Sequence, residues 1–222
     1  MKLILKEYLS SLKERGDLDK ALLPNLLSAM GLQVLKTPMI GTRQDGVDIA
    51  AVGRLPDDDQ KYLYLLCVKA GDVGRTDWDA GPQSVRPELQ EILDVYIGSR
   101  IAKEHQSLPI KICLCMGGEL KETVEGNWAG FTRKNATDEV HFELWNGDRL
   151  AGFMERSLLA RELLDEAARR HFQKALAMVN EPEACYEYTR NLVGVILQPE
   201  DLKDKERLLR LRQAYICIHA IC

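Results

Sequence analysis

The chain has 222 residues, of which 45% are hydrophobic and 29% charged, and its formal net charge is −4. This composition is that of a globular protein, and no apolar run has the length of a membrane span. The acidic balance excludes an overall basic field, although a local group of Lys and Arg side chains is enough to contact phosphate.

The first third of the chain predicts two helices followed by a meander of three strands. Apolar spacing indicates helices over residues 3–15 and 17–30, the second with a kink or a new start at Pro24. Three apolar runs bounded by turn residues then predict strands over 32–35, 47–52 and 61–68. The third run is the most apolar, which is typical of a central strand.

The middle of the chain adds a crossover. Glycines, a proline and three acids predict a loop over 71–82, and apolar spacing predicts a helix over 87–104. A fourth strand over 109–115, reached through this helix, is expected to run parallel to the third. A fifth strand over 140–145 and a short helix to residue 154 follow.

The cysteines support a reduced, cytoplasmic setting. Cys113 and Cys115 alternate along the fourth predicted strand and are expected to be buried free thiols, because no further ligands stand at zinc-site spacing. The first ten residues do not have the pattern of a secretory leader.

From residue 157 the strand signals stop, and three helices are predicted over 158–179, 184–197 and 199–220. The fold class is therefore α/β, with a mixed central sheet of about five strands flanked by helices over residues 1–156. Residues 157–222 form a helical C-terminal subdomain. Because the last helix is apolar to its end, we expect either a longer protein or a partner that packs on it.

Three residues at the ends of the second and third strands form the candidate site. Asp48 lies on the second strand and Lys69 at the end of the third, so an antiparallel pairing brings them together. Cys67 precedes Lys69 by two residues and lies on the same face. A carboxylate that holds Mg²⁺ and a cation beside the phosphate are what phosphodiester cleavage requires.

The stretch from about Leu22 to Met154 resembles the Mrr-like branch of the PD-(D/E)XK nuclease superfamily, which has the restriction-endonuclease-like fold. "LLPNLLSAMGLQV" is similar to the first core helix and strand of that family, and "GTRQDGVDIAAV" to its Gly-x-Asp strand. "YLLCVKAGDVG" resembles the strand that carries an acid or Gln two residues before a lysine, and "VHFELWNGDRLAGFM" the closing strand and helix.

The resemblance implies a role for each residue. Asp48 would bind the metal, and Lys69 would orient the attacking water or stabilise the phosphorane. Cys67 stands where the family has Glu, Asp or Gln, and would contribute to a Mg²⁺ or Mn²⁺ site only through its backbone carbonyl, since thiols are poor ligands for hard ions. Four loop acids are further candidate ligands: Asp45, Asp72, Asp77 and Asp79.

By the same resemblance, the chain would be a metal-dependent DNA endonuclease, the effector domain at the N-terminus of a prokaryotic antiviral defence protein. Its expected substrate is double-stranded DNA, cut to leave a 5′-phosphate. A homo-oligomer is expected because each core cuts one strand, and a downstream sensor, NTPase region or partner protein would control it.

Two other interpretations remain open from the sequence. The first is a pseudo-nuclease, the same fold kept as a nucleic-acid-binding or assembly module after loss of the ion site at Cys67. The second is an unrelated α/β interaction domain in which Asp48 and Lys69 form a structural ion pair.

Overall fold

The computed structural model describes residues 2–38, 44–157, 164, 166–198 and 204–221. They form two compact units, one of residues 6–151 and the other of residues 1–5 with 152–222. Among the helices in these ranges, none combines the length and the apolar character that a membrane crossing needs.

The larger unit is built on a five-stranded sheet in which the spatial order of the strands follows the chain. Its strands are β1 Gln33–Lys36, β2 Ile49–Gly53, β3 Tyr62–Lys69, β4 Ile110–Met116 and β5 Val140–Trp145. The first three pair antiparallel, and β3, β4 and β5 pair parallel. The mixed α/β sheet and the parallel crossover predicted from the sequence are thus confirmed.

Ten α-helices lie in the described ranges. They are α1 Lys2–Ser11, α2 Leu23–Ala29, α3 Arg75–Asp79, α4 Val85–Glu91, α5 Ile97–Ser99, α6 Glu122–Asn135, α7 Gly147–Ser157, α8 Glu166–Ala177, α9 Pro182–Ile196 and α10 Asp204–Ile221. A π-helical segment, Glu14–Leu22, leads into α2, and another, Ile92–Tyr96, joins α4 to α5. The starts predicted for two C-terminal helices, at residues 158 and 199, fall outside the described residues.

In the middle of the chain one expectation was wrong and one helix was not predicted. The predicted loop over 71–82 contains the short helix α3, and α6 was not predicted at all. Gly126 and Gly130 weaken the helix propensity of α6, but packing of Trp128 and Phe131 on Phe142 outweighs it, with ring centroids 6.3 and 5.8 Å apart. Helix α6 makes the crossover that sets β5 parallel to β4.

The core lies where α4, its π-helical continuation and α6 cover one face of the sheet. All eight residues of β3 are buried, which makes it the central strand expected from its apolar run. Leu63, Leu65 and Cys67 alternate toward the helices and belong to one core cluster with Leu89 of α4. Burial of each large aliphatic side chain stabilises the fold by about 1.5–3 kcal/mol. The buried free thiols expected at Cys113 and Cys115 are also found.

Candidate functional site

Asp48 is held where the carboxyl end of β3 meets the start of β2. Its backbone N–H donates to the carbonyl of Leu66 at 2.9 Å, which extends the β2–β3 ladder by one residue. Its Oδ2 accepts a hydrogen bond from the N–H of Val68 at 2.8 Å. The carboxylate thus accepts the hydrogen bond that a backbone carbonyl of a neighbouring strand would otherwise accept from Val68. This contact orients the Asp48 side chain at the end of β3.

Lys69 is the last residue of β3 and is only 9% exposed. The two-residue alternation of the strand places it on the face that α4 covers, together with Cys67. Its ammonium donates to the carbonyl of Gln83 at 2.9 Å and forms an ion pair with Oε2 of Glu88 at 2.8 Å. The two partners hold the lysine at the carboxyl end of the strand.

Glu88 is a site residue that sequence reasoning missed. It lies in α4 between Val85 and Leu89, which are both buried, and its own side chain is 19% exposed. A signal was present, since Glu88 stands three residues after Val85 and four before the buried Ile92, within the apolar stripe of the helix. An acid in an inward-facing stripe needs a partner, and Lys69 is that partner.

Cys67 lies behind Glu88 in the core and does not line the cleft. Its thiol is fully buried and donates to Oε2 of Glu88 at 3.1 Å. Burial, with the nearby negative charge of Glu88, raises the pKa of the thiol well above its usual value, so the group is neutral. A neutral thiol is a poor ligand for Mg²⁺, and the structure instead makes Cys67 a hydrogen-bond donor to the carboxylate.

A cleft of about 490 Å³ opens at this end of β3. Asp48, Lys69 and Glu88 line it, together with residues 76, 77 and 80–84. Of the four loop acids proposed from the sequence, Asp77 lines the cleft. The other three bind elsewhere: Asp45 to Arg100, Asp72 to the N–H of Glu119 and Asp79 to Arg86.

The side chains that line the cleft determine which metal ion it could bind. No group of three or more His, Cys, Asp or Glu side chains in the described part of the chain is arranged to hold a metal. Asp48, Asp77 and Glu88 provide carboxylate oxygens to the cleft from three segments of the chain, without a complete protein cage. Mg²⁺ is commonly bound in this way, through one or two carboxylates, waters and substrate phosphate oxygens.

No family model, curated protein or solved structure matches the chain. The fold and the cleft themselves define its class. It is an α/β protein with a mixed five-stranded sheet, and the cleft at the carboxyl end of the central strand is lined by Lys69 and by the carboxylates of Asp48, Asp77 and Glu88.

Proposed function

We propose that this chain is a metal-dependent DNA endonuclease. The observation that carries the proposal is that Asp48, Glu88 and Lys69 line one open cleft although they come from three separate segments of the chain. Oxygen ligands and a cation beside them are the groups that phosphodiester hydrolysis needs. The resemblance of the sequence to Mrr-like nucleases supports the same reaction for Asp48 and Lys69 and does not involve Glu88.

Each side chain has a defined part in this proposal. Asp48 and Glu88 would hold a divalent ion, Mg²⁺ or Mn²⁺, which would polarise the phosphate and lower the pKa of a bound water. Lys69 places a positive charge where the phosphate gains negative charge. Cys67 keeps the Glu88 carboxylate oriented through its thiol hydrogen bond, and the N–H of Val68 does the same for Asp48.

The biological setting follows from the resemblance. We propose double-stranded DNA as the substrate and effector action in a prokaryotic defence system, controlled by a further sensor or NTPase region. A double-strand break needs two cores, so a homo-oligomer is part of the proposal. Four exposed apolar residues of α10 at heptad spacing offer a surface for a second copy: Leu208, Leu211, Tyr215 and Ile218.

One observation favours a second candidate, an inactive binding or assembly module with the same fold. In the structure Lys69 is paired with Glu88 and bound to the carbonyl of Gln83, and its side chain is only 11% exposed. A lysine held in this way stabilises the fold without any ion or substrate. The pseudo-nuclease therefore stays the alternative.

A plasmid-cleavage assay tests the proposal. Nicking and linearisation are followed with Mg²⁺ and separately with Mn²⁺, at high protein concentration, for the unaltered chain and for Asp48→Asn, Glu88→Gln and Lys69→Met. Glu125→Gln, at an exposed position of α6, is the matched control. We expect cleavage by the unaltered chain and the control, and loss of at least a hundredfold in the three cleft variants.

The other outcomes separate the alternatives. Cleavage that persists in Asp48→Asn and Glu88→Gln would place the activity in a contaminant or another centre. Binding of DNA without cleavage, even with a forced dimer of the chain, would favour the inactive module.

A further inference from the structure

A second cavity has a volume of about 390 Å³. It is lined by Leu63, near the amino end of β3, and by Tyr96 and residues 100–102, near and after the end of α5. Leu63, which lines this cavity, and Lys69 of the cleft are six residues apart on β3, or about 20 Å at ~3.3 Å per residue. The apolar wall consists mainly of Ala50, Leu63, Tyr96, Ile101 and Ala102. Its volume falls in the range of small-molecule sites, about 300–1,000 Å³.

Lys36 provides a charged group inside this apolar wall. Its ammonium donates to the carbonyls of Val47 at 2.6 Å and Gln44 at 3.2 Å, and it stands 5.1 Å from the ring centroid of Tyr96. Burial lowers the pKa of Lys36 from its usual value, although the carboxylates of Asp48 and Asp45 act in the opposite direction. A partly desolvated ammonium of this kind gains most from an additional anionic partner.

Arg100 provides a second cation at the cavity. Its Nε donates to Oδ2 of Asp45 at 2.8 Å, and its side chain is 56% exposed while that of Asp45 is 3% exposed. The other guanidinium N–H groups have no partner within the described residues, so they remain able to donate. Two cations and one carboxylate, Asp45, give the charged lining a net positive charge.

We propose that this cavity binds a small amphipathic anion, a molecule with a compact apolar body and one carboxylate or phosphate head. The body would pack against Ala50, Leu63 and Ile101, and the head would accept hydrogen bonds from Lys36 and Arg100. The ammonium of Lys36 also donates to the carbonyl of Val47, the residue before Asp48. A bound ligand would therefore contact the same ammonium that stabilises the turn leading into Asp48. The proposal does not depend on the nuclease activity.

Titration calorimetry of the full chain with four probes tests the head group. The probes share one eight-carbon body: octanoate, octyl phosphate, 1-octanol and octylammonium. We expect at least one of the two anions to bind at least tenfold more tightly than octanol, and octylammonium to bind most weakly. The preferred anion then identifies the head. Equal affinity of all four probes, or no binding of either anion, would overturn the proposal.

Two substitutions test the location. Ala102→Phe introduces a large side chain at an exposed residue of the cavity lining, with φ −60° and ψ 144°. Ala136→Phe is its control, at an exposed position with φ −69° and ψ 142°. Binding of the preferred anion should fall at least tenfold in the first variant and stay unchanged in the second. Arg100→Gln should reduce the preference for the anion over octanol. Unchanged binding in both Ala102→Phe and Arg100→Gln would mean that the probe binds elsewhere, and the proposal would fail.

Discussion

Gly46 packs directly against the main-chain carbonyl of Glu88. A Cβ placed on Gly46 would stand 2.1 Å from that oxygen, and the φ of this glycine is +77°. The turn that leads into Asp48 can therefore approach α4 only because residue 46 has no side chain. This contact connects the backbone segments that carry Asp48 and Glu88, independently of any ion.

Replacement of Gly46 by alanine tests this contact. Gly46→Ala should cost about 1–3 kcal/mol from overpacking, and roughly 1 kcal/mol more from a side chain at positive φ. Gly31→Ala is the matched control, since Gly31 has φ +85° and open space around it. Urea denaturation of both variants measures the difference in the free energy of unfolding. Equal destabilisation of Gly46→Ala and Gly31→Ala would show that α4 can move away from residue 46 without loss of stability, and would contradict the prediction.

Binding of Mn²⁺ should stabilise the folded chain through the two carboxylates. We expect the melting temperature to rise with Mn²⁺ concentration, because an ion that binds only the folded state shifts the unfolding equilibrium. The rise should disappear in Asp48→Asn and in Glu88→Gln and persist in Glu125→Gln. Differential scanning calorimetry checks this without reference to cleavage. A rise that survives in both cleft variants would place the ion elsewhere.

Introduction of a carboxylate at Cys67 should lower the stability of the folded protein. The position is fully buried and touches Glu88, so Cys67→Glu places a second acid beside the first. We expect a loss of roughly 3 kcal/mol at pH 7, typical of a buried charge without its own partner. Burial and like charge raise the folded pKa of the new carboxyl, so the loss should shrink as pH falls toward the unfolded pKa of about 4.3.

Cys67→Ser is the control for that substitution, because a hydroxyl also donates to Glu88. Chemical denaturation at pH 7 and pH 5 compares the two variants. A Cys67→Glu protein that is as stable as Cys67→Ser at pH 7 would mean that Lys69 compensates both acids.

On the other face of the sheet, Lys111 joins the carboxylates of the buried Asp58 and the partly buried Glu143. Its ammonium pairs with Glu143 at 2.7 Å and with Asp58, whose Oδ2 accepts a hydrogen bond from the hydroxyl of Tyr64. Burial acts to raise the pKa of both carboxyls, but hydrogen bonds, with that of Lys111 the strongest, leave both pKa values below normal. Lys111→Met should therefore cost about 3–5 kcal/mol at pH 7, because it leaves the buried Asp58 without its cation. Glu143 keeps its ion pair with Arg149.

The sign of the pH dependence follows from these lowered pKa values. The stability that the two carboxylates contribute is present above their unfolded pKa values, about 4, and is lost as pH falls through the lower folded values. The unaltered chain should lose stability on acidification, and Lys111→Met should lose less, since the other hydrogen bonds to the two carboxylates remain. Thermal melts between pH 7 and pH 3 measure this, with Lys103→Met, at an exposed position, as control. If the melting temperatures of all three proteins changed with pH in parallel, the pairing of Lys111 with Asp58 and Glu143 would not be the source of the pH dependence.

The apolar stripe of α10 should mediate self-association. Leu211 lies in the middle of the stripe and is 49% exposed, so Leu211→Asp should convert a dimer into a monomer in light scattering. Met178→Asp is the control, at a residue that is 40% exposed and outside α10. A monomer at all concentrations for the unaltered chain would remove self-association through α10 from the proposed function.

Local patterns were sufficient for much of the sheet. The five strands were predicted in order because each is an apolar run between turn residues, and β3 was recognised as central because every position in it is apolar except Lys69. Helix α6 was missed because its glycines masked an apolar spacing at Val124, Trp128 and Phe131 that was present in the sequence.

The sequence by itself determined the meander of the first three strands, the turn before Asp48 and the placement of Lys69 at the end of β3, since these depend on neighbours along the chain. Only the tertiary structure decided that Glu88 belongs to the cleft and that Cys67 lies behind it. Glu88 is 40 residues from Asp48 in the sequence, and what brings them together is the packing of α4 against Gly46. Such packing depends on the shapes of surfaces that meet only after the chain has folded, and no local periodicity records it.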